Sequence, residues 1–172
     1  MRSLFLLLPI FLCACKGPDY SVNAYVGGRS LSDDINTIDD QPVYGFDTVL
    51  ALKNDWFAIE AGWLHSDESE AGNVVDLDEY FVGARFAPWK LVVEPYVSVG
   101  LSVVDGAFEG MMSVPDDTST AGYIRAGVAY PLTSIFKVGI DGRALLGSDF
   151  DTASLEESAD YFQLMVFVGV GI

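Results

Sequence analysis

Apolar and polar residues alternate strictly along a stretch in the middle of the chain, EPYVSVGLSVVDG, residues 94–106. The odd positions carry the apolar side chains Pro95, Val97, Val99, Leu101 and Val103. The even positions carry only hydroxyl groups and a glycine: Tyr96, Ser98, Gly100 and Ser102. A period of two residues predicts a β-strand with one apolar and one weakly polar face.

The same alternation predicts eight strands, which cover residues 20–29, 44–52, 57–63, 80–86, 93–103, 123–130, 136–144 and 161–172. Three joins are short, at 53–55, 88–90 and 131–134, and four are long, at 30–42, 66–78, 105–120 and 147–160. Because short and long joins alternate, the turns fall at one end of the sheet and the long loops at the other. We therefore predict one all-β domain, an antiparallel up-and-down barrel.

The charge on each face indicates which face is inside. The apolar set carries no charge, whereas the opposite set carries Arg29, Asp47, Glu60, Arg85, Glu94, Arg125, Lys137, Asp141 and Arg143. Glycine also recurs on that second face, while a water-facing strand of a soluble barrel would be densely charged and poor in glycine. Small residues between nearly balanced charges fit the narrow interior of an eight-stranded barrel. The apolar face then meets lipid, where a Lys or Arg at mid-bilayer costs about 2–4 kcal/mol.

The predicted hairpins place these interior charges near one another. We expect a belt across the second to fifth strands, with Arg85 opposite Glu94 and also near Glu60, which faces Asp47. A second group should pair Arg125 with Asp141, with Arg143 two residues above. Such a network could plug the barrel, or it could line a narrow or gated ion path, and the sequence leaves both interpretations open.

Aromatic residues concentrate near the predicted strand ends, where interfacial girdles form in membrane barrels. They are Tyr20, Tyr44, Trp56, Phe57, Trp63, Tyr80, Phe86, Trp89, Tyr130, Phe136 and Phe162. The general preference of aromatic residues for strands is the alternative explanation. Their scarcity in the outward middles of the fifth, seventh and eighth predicted strands favours girdles.

Segments such as YFVGARFAPW, EPYVSVGLSV and YFQLMVFVGVGI carry this pattern. Over residues 19–172 the chain resembles the small eight-stranded outer-membrane β-barrel superfamily, which includes the OmpA-like transmembrane domain and the OmpX-like proteins. The resemblance implies a porin-like transmembrane barrel in the bacterial outer membrane, with short periplasmic turns and long extracellular loops. It implies little about function, because the superfamily includes adhesins, stability proteins and a few enzymes. The chain departs from many members by ending on Ile172 instead of Phe or Trp.

The N-terminus, MRSLFLLLPIFLCAC, has the basic and apolar regions of a secretory signal peptide. Its end resembles the lipobox of bacterial lipoproteins. We therefore expect residues 1–14 to be removed and Cys15 to become the lipidated first residue, with ordinary cleavage nearby as the alternative. Neither cysteine is left for a disulfide framework.

The net charge and the positions of the acidic residues limit the classes of partner that the protein can bind. The formal net charge is −16, from 25 acidic and 9 basic residues, which excludes a generic nucleic-acid surface. Most of the acidic residues lie in the four long joins, which lack Lys and Arg and could form a solvated fringe, bind an extracellular ligand or bind divalent cations. The segment 149–151 with Glu156 and Glu157 has the composition of a calcium loop without its full pattern.

Catalysis would have to use His65 and Ser66, since the chain has a single histidine. Adjacent strand residues point to opposite faces, so these two side chains should diverge instead of forming a nucleophile–base pair. We expect no enzyme activity, no cofactor and no metal site, because one histidine leaves mainly carboxylates as ligands. The expected function is a monomeric, lipid-embedded barrel with a structural, envelope-integrity or surface-interaction role; the alternatives are a narrow pore and a lipid-modifying enzyme.

Overall fold

A computed structural model describes residues 20–31, 40–52, 56–70, 73–89, 92–109, 114–147, 149–152, 155–158 and 160–171. These residues form ten β-strands: β1 (Tyr20–Leu31), β2 (Asp40–Ala51), β3 (Phe57–Glu70), β4 (Asn73–Phe86), β5 (Glu94–Glu109), β6 (Val114–Pro131), β7 (Phe136–Leu146), β8 (Asp149–Thr152), β9 (Leu155–Ser158) and β10 (Tyr161–Gly171). The predicted signal peptide, Cys15 and Ile172 lie outside the described residues.

Eight of the strands form one closed barrel in the order β1-β10-β7-β6-β5-β4-β3-β2. Each pairs with its neighbours antiparallel, and β1 closes the barrel by pairing with β10, for example Val22 with Val170. We call the end where residues 52–56, 87–93 and 132–135 connect the strands the turn end, and the opposite end the hairpin end. Within the described ranges, no helix is long and apolar enough to cross a membrane. The predicted all-β, eight-stranded antiparallel barrel is confirmed.

The two faces of the barrel wall are partitioned as the alternation predicts. Outward side chains in the middle of β5 are largely exposed, with Val99 at 56% and Leu101 at 61%. Inward charged side chains are buried, with Asp47 and Glu60 at 0% and Arg85 at 6%. This arrangement inverts that of a soluble protein, because the polar groups are enclosed and the apolar ones form the outer surface.

Two groups of outward aromatic side chains lie near the two ends of the barrel. At the turn end, the Phe57 and Phe86 rings lie 5.0 Å apart on paired positions of β3 and β4. Towards the hairpin end, Trp63 is paired with Tyr80 and packs edge-on against Tyr44, with ring centroids 6.2 Å apart. The groups bound an apolar belt, as girdles at two membrane interfaces would.

Close contact across the lumen explains the inward glycines. A Cβ atom added at Gly127 would lie 2.6 Å from the Cβ of Asp141 and 2.6 Å from Cζ of Tyr96. Glycine there lets two bulky polar side chains approach the β6 backbone. The narrow interior thus has room for large charged groups because small residues face them.

The strands extend further at the hairpin end than the sequence predicted. The expected joins 66–78 and 105–120 are largely strand, since β3 reaches Glu70, β4 starts at Asn73, β5 reaches Glu109 and β6 starts at Val114. Alternation continues there with reversed polarity: Asp76 and Asp78 face outward while Leu77 is buried inside. A search for outward apolar residues therefore ends these strands too early.

The join 147–160 also differs from the prediction, because it contains the short hairpin β8–β9. Asp151 is paired with Glu156 and Phe150 with Glu157 in this hairpin. The composition that resembles a calcium loop therefore lies on two antiparallel strands, so the backbone here differs from the single looping segment of an EF-hand.

Candidate functional site

The barrel interior holds two clusters of buried charge, one nearer each end. The turn-side cluster consists of Asp47, Glu60, Arg85, Arg125 and Asp141, contributed by β2, β3, β4, β6 and β7. The hairpin-side cluster consists of Arg29, Glu79 and Arg143, contributed by β1, β4 and β7. Six of the barrel's strands thus supply charged groups at the two levels, and the other two, β5 and β10, supply hydroxyl and amide groups beside them.

Two arginines bind three carboxylates in the turn-side cluster. Arg125 contacts Asp47 at 2.9 Å and Asp141 at 2.6 Å. Arg85 contacts Glu60 at 2.7 Å and Asp47 at 3.3 Å. Asp47 is shared by both guanidinium groups, so the five side chains form one connected network.

Hydroxyl groups and aromatic rings add further partners to this network. Tyr25 donates to Asp47 at 2.7 Å, Tyr96 to Asp141 at 2.8 Å and Tyr123 to Glu60 at 2.8 Å. The guanidinium carbon of Arg85 lies 4.1 Å from the centre of the Tyr96 ring, in a cation–π arrangement. Because buried charges are costly unless paired and hydrogen-bonded, these neutral partners are required for the network to be stable.

Glu79 is the centre of the hairpin-side cluster. Its carboxylate contacts Arg143, contacts Arg29 at 3.3 Å and accepts hydrogen bonds from Tyr161 and, at 2.7 Å, from Ser102. All three charged side chains are 0% exposed. One carboxylate therefore neutralises part of two buried guanidinium charges.

Tyr123 connects the two clusters. Its ring centre lies 4.0 Å from the guanidinium carbon of Arg143, and its hydroxyl group donates to Glu60. The Phe81 ring, edge-on to Tyr123, also lies against Arg143 at 4.3 Å. The interior is thus continuously packed between the two levels of charge.

The predicted interior residues are brought together with one important addition. Glu79 was missed because it lies just before the predicted start of the fourth strand, although it shares the inward parity of Phe81 and Arg85. With it, the interior set has five acidic residues, Asp47, Glu60, Glu79, Glu94 and Asp141, and five basic ones, Arg29, Arg85, Arg125, Lys137 and Arg143. The set is therefore balanced in formal charge.

The predicted pairing of Arg85 with Glu94 is wrong. Arg85 pairs in register with Ser98, because residues 87–93 separate β4 from β5 and the predicted turn was shorter. Glu94 instead lines a recess of about 370 Å³ at the turn end, together with Lys137 and Trp89. Lys137 donates to Ser21 at 2.9 Å in this recess.

His65 and Ser66 point to opposite faces of β3, as alternation predicts. Ser66 is buried in the lumen, where it accepts from Arg29 at 3.0 Å and donates to Gln41 at 3.0 Å. His65 lies on the outer wall next to Tyr44 and Trp63, with ring centroids 5.0 and 5.7 Å away. These two side chains therefore cannot act as a nucleophile–base pair.

Most charged side chains of the two clusters are out of contact with solvent, and Arg85, which lines the turn-end recess, is 6% exposed. Asp47, Glu60, Arg29, Glu79 and Arg143 are all 0% exposed. A chain of water molecules through the barrel would have to touch some of these groups, since they come from strands all around the wall. The arrangement is a set of buried polar groups that are bonded to one another inside the barrel.

Comparison with known proteins agrees on architecture. No protein-family model matches the chain, and no curated protein matches it in sequence. Among solved structures, the N-terminal β-barrel domain of Pseudomonas aeruginosa OprF matches with a TM-score of 0.62 and 16% identity, over 88% of this chain and 97% of that domain. Ail, the attachment invasion locus protein of Yersinia pestis, matches with a TM-score of 0.62 and 12% identity, over 91% of this chain and 99% of Ail.

The outer membrane enzyme PagL also matches, with a TM-score of 0.55 and 13% identity over 88% of this chain and 99% of PagL. These identities are low, so the comparison concerns the fold. The similar fold and the apolar outer belt both support location in the bacterial outer membrane. The chain has the architecture of the small eight-stranded outer-membrane β-barrels.

Proposed function

We propose that this protein is a non-enzymatic outer-membrane barrel whose lumen is plugged and whose hairpin end acts at the cell surface. The observation that carries this proposal is the burial of the carboxylates of the two charge clusters, with Asp47, Glu60 and Glu79 at 0% exposure. A barrel that conducts ions needs hydrated polar groups along its axis, and these groups are bonded to one another instead.

Planar-bilayer recording of the purified, refolded protein tests the plug. We expect no discrete conductance steps, whereas an open porin refolded in the same way should give them. Heat-modifiable migration on a denaturing gel verifies that the inserted protein is folded. Reproducible single-channel steps from the wild-type protein would overturn the plugged lumen.

A narrow or gated pore is the second candidate, and the turn-end recess favours it. This recess of about 370 Å³ extends inward as far as Arg85, so part of the lumen is already open to one side. Opening would require the buried ion pairs of Glu79 with Arg29 and Arg143 to separate, and breaking buried ion pairs is energetically unfavourable. Recording under voltage ramps and at low pH distinguishes this candidate, since only a gated pore would begin to conduct.

The surface role is supported by the acidic character of the hairpin end. Outward-facing Asp67, Asp76, Asp78 and Asp105 lie on β3, β4 and β5 beyond the aromatic residues Trp63 and Tyr80. We infer that this end contacts either neighbouring lipid headgroups or an extracellular ligand. We infer a role in envelope integrity from the same acidic surface of the hairpin end.

A variant in which the outward aspartates of the hairpin end are neutralised, Asp67→Asn/Asp76→Asn/Asp78→Asn/Asp105→Asn, separates the surface role from the barrel. We expect this variant to fold and to lose capture of an extracellular ligand in pull-downs, while wild-type protein retains it. A deletion strain should become sensitive to detergent if the barrel itself supports the envelope, and either version should then restore resistance. Failure to see either phenotype would contradict the proposed surface and envelope roles.

A further inference from the structure

His65 is surrounded by carboxylates on the outer wall, away from the lumen clusters. Its Nδ1 atom lies 3.0 Å from Oδ1 of Asp78 and 3.5 Å from Oδ1 of Asp76. Its Nε2 atom lies 3.7 Å from Oδ1 of Asp67. We propose that His65, Asp76 and Asp78 bind a divalent transition-metal ion of the Zn²⁺ type, with Nδ1 and one oxygen from each carboxylate as ligands.

The distances between the donor atoms fit a metal ion. One donor atom from each of the three side chains lies within 4.8 Å of the other two. Ligands bound at about 2.0–2.2 Å from a tetrahedral or octahedral ion lie about 3–3.5 Å from one another. The separations of Nδ1 from the two carboxylates, 3.0 and 3.5 Å, already match this spacing. A metal ion can therefore bind with small side-chain movements.

Strand register concentrates negative charge at this place. Asp67 lies directly opposite Asp76 across β3 and β4, and Asp78 lies directly opposite Asp105 across β4 and β5. Like charges at directly opposed positions destabilise an antiparallel pair. A single imidazole, even protonated, does not balance four carboxylates, whereas a divalent ion removes most of the repulsion.

Neighbouring aromatic groups hold the ligands in place. The His65 ring stacks on Trp63 with an interplanar angle of 27° and also packs against Tyr44. The Trp63 indole donates to Oδ1 of Asp78 at 2.9 Å. The side chain of His65 is only 15% exposed. Such support reduces the entropy lost when a metal binds.

Asp67 has a different role, as the partner of the second ring nitrogen. Metal-bound histidines commonly direct their other N–H group towards a carboxylate, which fixes the tautomer and ring orientation. Oδ1 of Asp67 lies 3.7 Å from Nε2, so a small movement of this exposed side chain would make the contact. The combination of one imidazole with carboxylates favours ions such as Zn²⁺ over Mg²⁺ and Ca²⁺, which prefer oxygen ligands.

Isothermal titration with ZnCl₂ of untagged, refolded protein in detergent tests this site, with Cys13 and Cys15 replaced by serine in every protein because free thiols also bind Zn²⁺. We expect one Zn²⁺ per chain, with affinity at least tenfold weaker in His65→Ala and in Asp76→Asn/Asp78→Asn. Glu94→Gln is the control, because this carboxylate lines the recess at the turn end of the barrel, away from His65, and its loss should change the affinity by less than about threefold.

CoCl₂ gives a second readout that depends on the ligands. Binding should produce a visible absorption spectrum that is absent from His65→Ala, and heat-modifiable gel migration verifies that each variant is folded. Equal Zn²⁺ binding by wild type and His65→Ala, or no binding by wild type, would overturn the proposal. Preferential Ca²⁺ binding that survives His65→Ala would also overturn it, because it would show a site made of carboxylates alone.

Discussion

At the scale of single residues, the stability of the interior depends on a few side chains that are shared by several ion pairs. Glu79 is the carboxylate that Arg29 and Arg143 share, and all three are fully buried. Breaking a buried ion pair leaves a charge with neither water nor partner, which is more unfavourable than losing the interaction itself. Glu94, in contrast, lines the open recess at the turn end.

Glu79→Gln should therefore lower the free energy of unfolding by about 3–5 kcal/mol, because two guanidinium groups lose their common counter-charge. Urea unfolding of the refolded protein in lipid vesicles measures the change. The control Glu94→Gln, which alters the same chemical group at a solvent-accessible position, should stay within about 1 kcal/mol of wild type. Equal stability of the two variants would contradict the central role of Glu79.

Gly127→Ala should destabilise the barrel by about 1–3 kcal/mol, because its methyl group would overlap Asp141 and Tyr96 and displace them. Gly28→Ala is the matched control, since its nearest atom, the Gln41 carbonyl oxygen, would be 3.9 Å away. Both changes add the same single methyl group to a strand. The same unfolding assay compares them, and a neutral Gly127→Ala would show that the lumen is looser than described.

At the scale of the strands, each one changes environment along its length. In the middle of β5 the outward residues are apolar and the inward ones polar, whereas near the hairpin end of β4 the outward Asp76 and Asp78 flank the inward Leu77. Buried Leu77, Val104, Ala121 and Leu145 lie one inward position beyond Glu79, Ser102, Tyr123 and Arg143. The reversal shows where the outer surface ceases to be apolar.

Val99→Arg should lower the free energy of unfolding in vesicles by about 2–4 kcal/mol, because the outward side chain at position 99 lies in the middle of the apolar belt. Val92→Arg, in the turn-end connection and 76% exposed, should change it little. Fluorescence-monitored urea titration in vesicles gives both values. If Val99→Arg were as mild as Val92→Arg, the outer face would not be in contact with lipid.

At the scale of the whole molecule, closure of the barrel and filling of its lumen are coupled. Arg125 reaches Asp47 across the interior from β6 to β2, and Arg29 reaches Glu79 from β1 to β4. Contacts of this kind form only when all eight strands have closed. We expect the folded barrel to exclude water from both clusters as one unit.

Cysteine accessibility checks this expectation. With both native cysteines replaced by serine, Ser98→Cys should react with a membrane-impermeant maleimide on the order of 100-fold more slowly than Ser134→Cys, because its thiol is inside the plug and reacts only after local opening. Ser98 is 1% exposed, whereas Ser134 lines the turn-end recess. Both should react equally fast in urea. Rapid labelling of Ser98→Cys in the folded protein would indicate a water-filled lumen.

Architecture could be predicted from the sequence alone because it rests on local patterns. Alternation with period two defines the strands, and the absence of charge from one face together with glycine on the other indicates which face is enclosed. These features repeat along the chain, so an error at one strand end does not alter the conclusion. The nine predicted interior charges needed no knowledge of strand pairing, only of parity.

Register and distance were decided by the tertiary structure. Arg85 faces Ser98 instead of Glu94 because the pairing depends on the length of the connection 87–93 and on closure of the whole barrel. Glu79 and the hairpin β8–β9 were missed because beyond the apolar belt the pattern reverses or disappears. The cluster around His65 consists of residues from two strands. Their proximity depends on the register between those strands, and this register cannot be read from the sequence of either strand alone.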